Sequence, residues 1–275
     1  MGVVEAARAA AREQVLVAML DIPRLLAHPA WRAGDPDEGR GVGVLLVPGF
    51  GFGDLSLHLT GTWLRNRGYV PTGARIGLNV GCTTELVDRL EERLRAHVEA
   101  TGGPVVLFGQ SRGGGLARLL AVRRPELVRG LVMVGSPVLD TLGAHPSVVR
   151  VARLLARLSA AGLPGLLDED CFEGTCYDTN SESMARPLEV PALAVFSPND
   201  LIAPPELCAD PCAECVEVGS THTGMALDPE LYELLAPRLA AWARAGEDAA
   251  GDDAAVREAA VAEETRESLS LASTA

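Results

Sequence analysis

The chain has 275 residues and a formal net charge of −13, from 24 basic and 37 acidic side chains. Every basic residue is an arginine, and the lack of lysine excludes Schiff-base chemistry and the lysine of a P-loop. The negative charge argues against a nucleic-acid partner, because nucleic-acid phosphates are bound by basic surfaces. No apolar run reaches the roughly 20 residues of a membrane span, so no transmembrane segment is expected.

The two ends of the chain differ from its middle. Residues 246–275 contain eight acidic side chains and two arginines, a charge of −6, which leaves −7 for residues 1–245. This carboxyl-terminal stretch has no large apolar face, so we predict an acidic tail that is disordered or a solvated helix. The amino terminus lacks the pattern of a signal peptide. A cytoplasmic location is therefore expected, with secretion by another route as the alternative.

Strand and helix signals alternate along residues 42–245. Before them, helical periodicity over 3–20 and a Pro- and Gly-rich stretch over 28–41 predict a helix and a loop within residues 1–41. We predict strands at Val42–Val47, Tyr69–Ile76, Val105–Phe108, Gly130–Val134, Ala192–Phe196 and Val216–Val218. We predict helices at Leu57–Arg67, Thr84–Ala100, Gly114–Val122 and Pro229–Trp242. Such alternation is typical of a parallel sheet with helices on both faces.

Residues 137–190 interrupt this alternation. They contain an amphipathic segment, Val148–Leu158, followed by a polar loop with two cysteines. We interpret them as a cap inserted over the carboxyl-terminal edge of the strands. The apolar stripe of the amphipathic segment either packs on the body of the domain or forms a lid that lines an acyl pocket. Both arrangements favour a substrate with an apolar acyl chain.

A Gly-x-Ser-x-Gly motif from Gly109 to Gly113 directly follows the strand signal at Val105–Phe108 and precedes a helix signal. A nucleophile elbow requires this context, because its serine occupies a strained turn between a strand and a helix. The two glycines leave space at the turn, and the amino terminus of the helix favours developing negative charge. We therefore predict that Ser111 is a catalytic nucleophile. The alternative is an incidental serine in a glycine-rich turn.

A second glycine-rich loop follows the first strand signal. Gly49, Gly51 and Gly53 allow backbone N–H groups to converge on one point. Acyl transfer needs two such donors, aimed at the oxygen of the tetrahedral intermediate. We predict that the backbone amides of Phe50 and Arg112 form this oxyanion hole. A phosphate-binding loop is the alternative, but the glycine spacing differs from Gly-x-Gly-x-x-Gly.

The positions of the histidines and of one aspartate suggest the partners of this serine. His222 follows the last strand signal, in the loop where a general base can reach the nucleophile. His58 is a candidate to line the pocket, and the other three histidines lie in a loop, a helix and the cap. Asp200 follows Ala192–Phe196 and is the candidate to orient His222. A surface histidine and a turn-forming aspartate are the alternatives. The chain order Ser111, Asp200, His222 favours a catalytic triad.

These motifs resemble those of serine lipases and esterases in the α/β-hydrolase superfamily, across residues 42–242. The segment Pro48–Gly51 is similar to an oxyanion loop, although a proline stands where many members have histidine. Residues 197–202 and 221–226 resemble the acid and histidine motifs of actinobacterial lipase-like hydrolases. The resemblance implies an α/β-hydrolase fold with a mostly parallel sheet, and hydrolysis of carboxylic esters. A Ser-His-Asp triad needs no cofactor, and neither a cofactor nor a metal is expected.

Two other classes of function remain open. An acyltransferase, thioesterase or cyclase of a biosynthetic pathway would use the same triad on another acceptor or on a thioester. A non-catalytic receptor or scaffold with this fold would not use the triad. For all catalytic alternatives, the expected partner is a small ester or acyl compound with an apolar chain.

The six cysteines allow three interpretations. Cys82 stands alone in the sequence, whereas the other five lie in two groups. A zinc site is disfavoured by loose spacings and by the lack of nearby histidines. A disulfide from Cys171 or Cys176 to Cys208 or Cys212 would tether the cap to the body. Free thiols fit the absence of a signal peptide.

Overall fold

The computed structural model of the chain describes residues 17–245. Its six strands form one sheet in the order β2-β1-β3-β4-β5-β6, and every neighbouring pair is parallel. The strands are Gly43–Val47 (β1), Val70–Gly73 (β2), Val105–Gln110 (β3), Val128–Val134 (β4), Ala192–Phe196 (β5) and Glu214–Glu217 (β6). Parallel neighbours need crossover connections, which the helices supply.

Most of the longer helices connect successive strands, the last helix follows the last strand, and the shorter helices lie in the loops. The helices are Ile22–Ala27 (α1), Pro29–Arg32 (α2), His58–Arg65 (α3), Thr83–Thr101 (α4), Arg112–Arg123 (α5), Pro146–Ala160 (α6), Thr175–Ala185 (α7), Pro205–Cys208 (α8) and 229–245 (α9). A π-helical turn lies at Val17–Asp21, and 3-10 turns lie at Asp54–Leu57, Pro125–Leu127, Glu169–Cys171 and Met225–Leu227. No helix within residues 17–245 is long and apolar enough to cross a bilayer.

The core has two halves, one on each face of the sheet. Alternate residues of the central strands point to opposite faces. Leu45 and Leu107 pack with α4 and α5, whereas Leu46 and Phe108 pack with α3 and α9. Residues of β1 and β3 are almost all buried, as in parallel strands that are covered on both faces. This packing holds the carboxyl ends of the strands in fixed positions.

The predicted parallel sheet with helices on both faces is confirmed, with some differences in the elements. β5 has the predicted bounds, whereas β2 is shorter than the predicted Tyr69–Ile76, because its pairing with β1 ends at Gly73. The loop predicted over 28–41 contains the short helix α2. Of the helix predicted over 3–20, only residues from 17 onward are described. The predicted acidic tail, 246–275, lies outside the described residues.

A long segment connects β4 to β5, and we call residues 135–191 the insert. The amphipathic stretch predicted within it forms α6. The polar loop predicted after that stretch is partly wrong, because Thr175–Ala185 forms the helix α7. α7 buries only Cys176 and Met184, so its sequence carries too few apolar residues to show a helical period.

Candidate active site

Ser111 occupies the turn between β3 and α5. Its backbone has φ 53° and ψ −128°, a conformation that is strained for any residue with a Cβ. The turn is held in place because the Ser111 N–H donates a hydrogen bond to the Val134 carbonyl oxygen at 2.8 Å. The Ser111 side chain faces a pocket beyond the carboxyl ends of the strands. This is the geometry of a nucleophile elbow.

The two glycines of the motif are required by the close approach of neighbouring backbone. A Cβ at Gly113 would lie 2.2 Å from the Val47 carbonyl oxygen. A Cβ at Gly109 would lie 2.4 Å from the carbonyl oxygen of Gly113. Both distances are far below van der Waals contact and both involve backbone atoms. The elbow therefore accommodates only glycine at these two positions.

Ser111, His222 and Asp200 each follow a different strand, and their side chains form one hydrogen-bonded series. His222 Nε2 lies 2.9 Å from Ser111 Oγ, and His222 Nδ1 lies 2.6 Å from Asp200 Oδ2. The other carboxylate oxygen, Asp200 Oδ1, accepts hydrogen bonds from the N–H groups of Ile202 and Ala203 at 2.7 and 2.8 Å. The Asp200 side chain is 1% exposed and that of His222 is 11% exposed. The structure thus brings together the three residues that the sequence suggested.

Two further residues support this arrangement and were not identified from the sequence. Gly135 follows β4 with φ 56°, and a Cβ there would lie 3.3 Å from both Asp200 Oδ2 and His222 Nδ1. Asn199 Nδ2 donates a hydrogen bond to the Gly219 carbonyl oxygen at 2.9 Å. This bond joins the loop of Asp200 to the loop of His222. The sequence signal for Gly135 was its position directly after a buried strand.

The Arg112 side chain links the elbow to the glycine-rich loop. Its guanidinium donates to the carbonyl oxygen and Oδ1 of Asn79 at 3.1 and 2.9 Å, and Asn79 Nδ2 donates to the Pro48 carbonyl oxygen at 2.7 Å. Phe50 forms an isolated parallel bridge with Asn79, and Phe50 and Arg112 both line the pocket that holds Ser111. Burial lowers the pKa of Arg112 to about 10, so the side chain stays charged at neutral pH. Arg112 also begins α5, where a backbone N–H has no intrahelical acceptor.

The pocket beside Ser111 lies between the body of the domain and the insert. It contains about 1040 Å³ of empty space, including its open mouth. Its walls are mainly apolar, with contributions from Leu116, Leu119, Val148, Val149, Phe172 and Met184. Of the two alternatives for the apolar stripe of α6, the structure favours the one in which it lines the pocket. Its first turns line the pocket, whereas Leu154 and Leu158 are partly exposed.

The remaining histidines have other surroundings. The prediction that His58 lines the pocket is wrong, because His58 begins α3 and is exposed to solvent. His28 and His145 each accept a hydrogen bond from a backbone N–H at the start of a helix. His97 Nε2 is hydrogen-bonded to the Val70 carbonyl oxygen at 2.9 Å. Three of these histidines therefore have structural roles that explain their positions.

The cysteines group differently in space than in the sequence. Cys176 Sγ lies 3.7 Å from Cys82 Sγ and 3.7 Å from Cys171 Sγ. The interpretation with a disulfide from Cys171 or Cys176 to Cys208 or Cys212 is wrong, because the sulfur atoms of Cys171 and Cys176 lie beside Cys82 instead. All six cysteines lie within the described residues and none is in a disulfide, which agrees with the third interpretation.

Several solved structures share this fold over most of their length. The monoacylglycerol lipase of Paleococcus ferrophilus aligns with a TM-score of 0.52 and 20% identity, over 76% of this chain and 96% of that one. A soluble variant of the monoglyceride lipase of Saccharomyces cerevisiae aligns with a TM-score of 0.53 and 16% identity, over 74% and 86%. No protein-family model matches the sequence, and neither does any curated protein.

A third similar structure belongs to a different hydrolase. The 2-hydroxy-6-oxo-6-phenylhexa-2,4-dienoate hydrolase of Rhodococcus sp. strain RHA1 aligns with a TM-score of 0.52 and 18% identity, over 77% of this chain and 92% of that one. The parallel six-stranded sheet, the helices on both of its faces and these likenesses define the fold. The chain has the α/β-hydrolase fold.

Proposed function

We propose that the protein is a serine hydrolase that cleaves carboxylic esters through an acyl-serine intermediate. The observation that carries this proposal is the hydrogen-bonded series Asp200, His222 and Ser111 beside an apolar pocket. A serine hydroxyl is a weak nucleophile until an adjacent base accepts its proton. His222 Nε2 is within hydrogen-bond distance of that hydroxyl, as a general base must be.

In the first half of the reaction, His222 accepts the proton of Ser111 as Oγ attacks the ester carbonyl carbon. Asp200 holds the imidazole in the required orientation and stabilises the imidazolium that forms. His222 then donates this proton to the departing alcohol, and the acyl group stays on Ser111. In the second half, His222 activates a water molecule that releases the carboxylic acid and restores the serine.

The backbone N–H groups of Phe50 and Arg112 are the proposed oxyanion hole. Loss of one donor of this kind typically costs about 3 kcal/mol of transition-state stabilisation. The Arg112 side chain is a positioning group here, because through Asn79 it holds the loop that carries Phe50. The two backbone N–H groups are thereby held in fixed positions relative to each other.

The proposed substrate class follows from the pocket. Its apolar walls suit an aliphatic acyl chain, and residues 137–190 act as the cap that supplies part of those walls. Two of the similar structures are lipases of monoacylglycerols, esters with a single acyl chain. This likeness supports, by analogy of fold, an ester substrate with one apolar chain.

Covalent labelling tests the proposal. We expect a fluorophosphonate to label the wild-type protein once, and Ser111→Ala to remove both the label and the hydrolysis of p-nitrophenyl esters. Loss of the nucleophile of a triad typically lowers kcat by about 10⁴-fold or more. Ser56→Ala is the matched control, because Ser56 is exposed and its Oγ donates to the nearby Gly53 carbonyl oxygen at 2.9 Å.

Two results would count against the proposal. Ester hydrolysis by Ser111→Ala at a rate near that of the wild type would show that Ser111 is not the nucleophile. Absence of labelling in the folded wild-type protein would favour a non-catalytic role. Addition of alcohol acceptors and thioesters separates the remaining alternatives, because an acyltransferase would form a new ester in preference to the free acid.

A further inference from the structure

Three thiols from separate parts of the chain meet in the interior. Cys82 directly precedes α4 in the body of the domain, Cys171 ends a 3-10 turn of the insert, and Cys176 lies in the first turn of α7. Each is less than a tenth exposed. All three Sγ atoms lie within 4.8 Å of one another. We call these residues the thiol cluster.

Two of the three sulfur-to-sulfur distances in the thiol cluster match those of a tetrahedral metal ion, and the third is at most 4.8 Å. Zinc binds cysteine sulfur at about 2.3 Å, so two sulfur ligands of a tetrahedral ion are about 3.8 Å apart. The Sγ atom of Cys176 lies 3.7 Å from that of Cys82 and 3.7 Å from that of Cys171. A disulfide would use two of these sulfur atoms and leave the third, whereas a metal ion uses all three.

The surroundings of the thiol cluster favour bound thiolates. The buried guanidinium of Arg112 interacts electrostatically with all three cysteines and donates to Gly81, next to Cys82. Asn180 Nδ2 lies 3.5 Å from Cys176 Sγ, in position to donate a hydrogen bond to it. Three thiolates and one Zn²⁺ carry a net charge of −1, which the single positive charge of Arg112 balances. Buried charges need such compensation.

We propose that Cys82, Cys171 and Cys176 bind one zinc ion. Binding converts the three thiols to thiolates and releases three protons, and a water molecule fills the fourth tetrahedral position. This site differs from the catalytic site of the proposed function and does not depend on it. The sequence predicted no metal site, because the cysteine spacings are loose and no histidine lies near them in the chain.

The zinc ion would fasten the insert to the body beside the pocket. Cys82 belongs to the body, whereas the other two ligands belong to the insert, and Cys171 also lines the pocket. The thiol cluster packs with Leu167, Phe172 and Ala152, which form pocket walls from the insert. Removal of zinc is therefore expected to loosen this wall and lower the melting temperature.

Metal analysis of the full-length protein tests the site. After loading with Zn²⁺ under reducing conditions and removal of free metal, we expect one zinc per chain by mass spectrometry. Replacement with Co²⁺ should produce sulfur-to-cobalt charge-transfer absorption, which reports thiolate ligands in the wild-type protein without any variant. Cys82→Ser and Cys176→Ser should each weaken zinc binding by more than about 100-fold, beyond the loss typical of an outer-shell partner.

Cys212→Ser is the matched control, because Cys212 is exposed and lies outside the thiol cluster. It should keep one zinc per chain, and circular dichroism establishes that each variant is folded. No tightly bound zinc in the wild-type protein would overturn the proposal, as would unchanged binding in folded Cys82→Ser. A disulfide between two of the cluster cysteines in the freshly isolated protein would also overturn it. None of these readouts measures ester hydrolysis, so the two proposals fail separately.

Discussion

Single residues with no side chain shape the candidate active site. Gly113 allows the backbone of the elbow to approach β1, and Gly109 allows β3 to approach the first turn of α5. Gly135 leaves room for the contact between Asp200 and His222. The first two lie in a recognisable motif. Gly135 has the additional feature of φ 56°, in the left-handed region where a Cβ costs about 1–2 kcal/mol. Its effect on the site can be separated from this backbone strain.

Gly135→Ala should lower the kcat of the proposed hydrolase, an effect that a loss of stability alone would not produce. The new Cβ would lie 3.3 Å from Asp200 Oδ2 and from His222 Nδ1, so the pair must shift. Gly102→Ala is the matched control, because Gly102 has φ 77° and a Cβ there would meet no atom of residues 17–245 within 4 Å. Both variants should lose similar unfolding free energy in urea, and only Gly135→Ala should lose kcat. Equal kcat values for the two variants would contradict this prediction.

The sequence identified Ser111, Asp200 and His222 because each follows a strand signal, and the ends of parallel strands meet at one edge of the sheet. It did not identify Asn79 or the thiol cluster. The side chains of Arg112 and Asn79 are 33 residues apart in the chain, and Cys82 and Cys176 are 94 residues apart. Contacts of this kind depend on how loops pack after the fold forms. Neither composition nor periodicity contains that information.

At the scale of elements, α4 is fastened to the edge strand β2 through His97. This side chain is 6% exposed, and its Nε2 is hydrogen-bonded to the Val70 carbonyl oxygen. Burial is the main cause of a pKa below the ordinary value of 6.5; Arg93 adds to the effect and the hydrogen bond to Val70 opposes it. The unfolded chain therefore binds a proton at a pH at which the folded protein does not.

The stability of the protein should consequently fall as the pH drops below about 6.5, the pKa of an unfolded histidine. The contribution of neutral His97 is complete above that value and is lost as the pH falls towards the lower folded pKa. His97→Gln should flatten the pH dependence of the urea midpoint between pH 7.5 and 5.5. His58 is exposed, so the control variant His58→Gln should keep the wild-type pH dependence of the urea midpoint. An unchanged slope in His97→Gln would refute the assignment.

The elements themselves could be predicted where the apolar pattern was strong. β5 and α4 lie within one residue of their predicted bounds, because both carry regular apolar residues that are buried. α7 was missed because its helix buries two residues and exposes many polar ones. Outside α6, the buried apolar residues of the insert, such as Leu167, Phe172 and Met184, lie in separate short segments. Periodicity therefore gives little information there.

On the scale of the whole molecule, residues of both the sheet domain and the insert line the pocket. The floor comes from the elbow and α5, which the sheet holds rigidly, and the opposite wall comes from α6 and the region of the thiol cluster. The charge of −13 has little part in this site, because the pocket walls are mainly apolar. Substrate preference should therefore depend on the depth of the apolar space.

Val149→Phe should shorten the acyl chain that the proposed hydrolase accepts. Val149 is half-buried on α6 and lines the pocket, so a larger ring would occupy space that a long chain needs. Changes of this size in an apolar pocket are typically worth about 1–3 kcal/mol. We expect kcat/KM for p-nitrophenyl decanoate to fall about 10- to 100-fold, with little change for the butyrate. Leu154→Phe on the same helix is the control, because Leu154 is 47% exposed and should leave both values unchanged. An equal loss of kcat/KM for the decanoate and the butyrate in Val149→Phe would indicate that the acyl chain lies elsewhere.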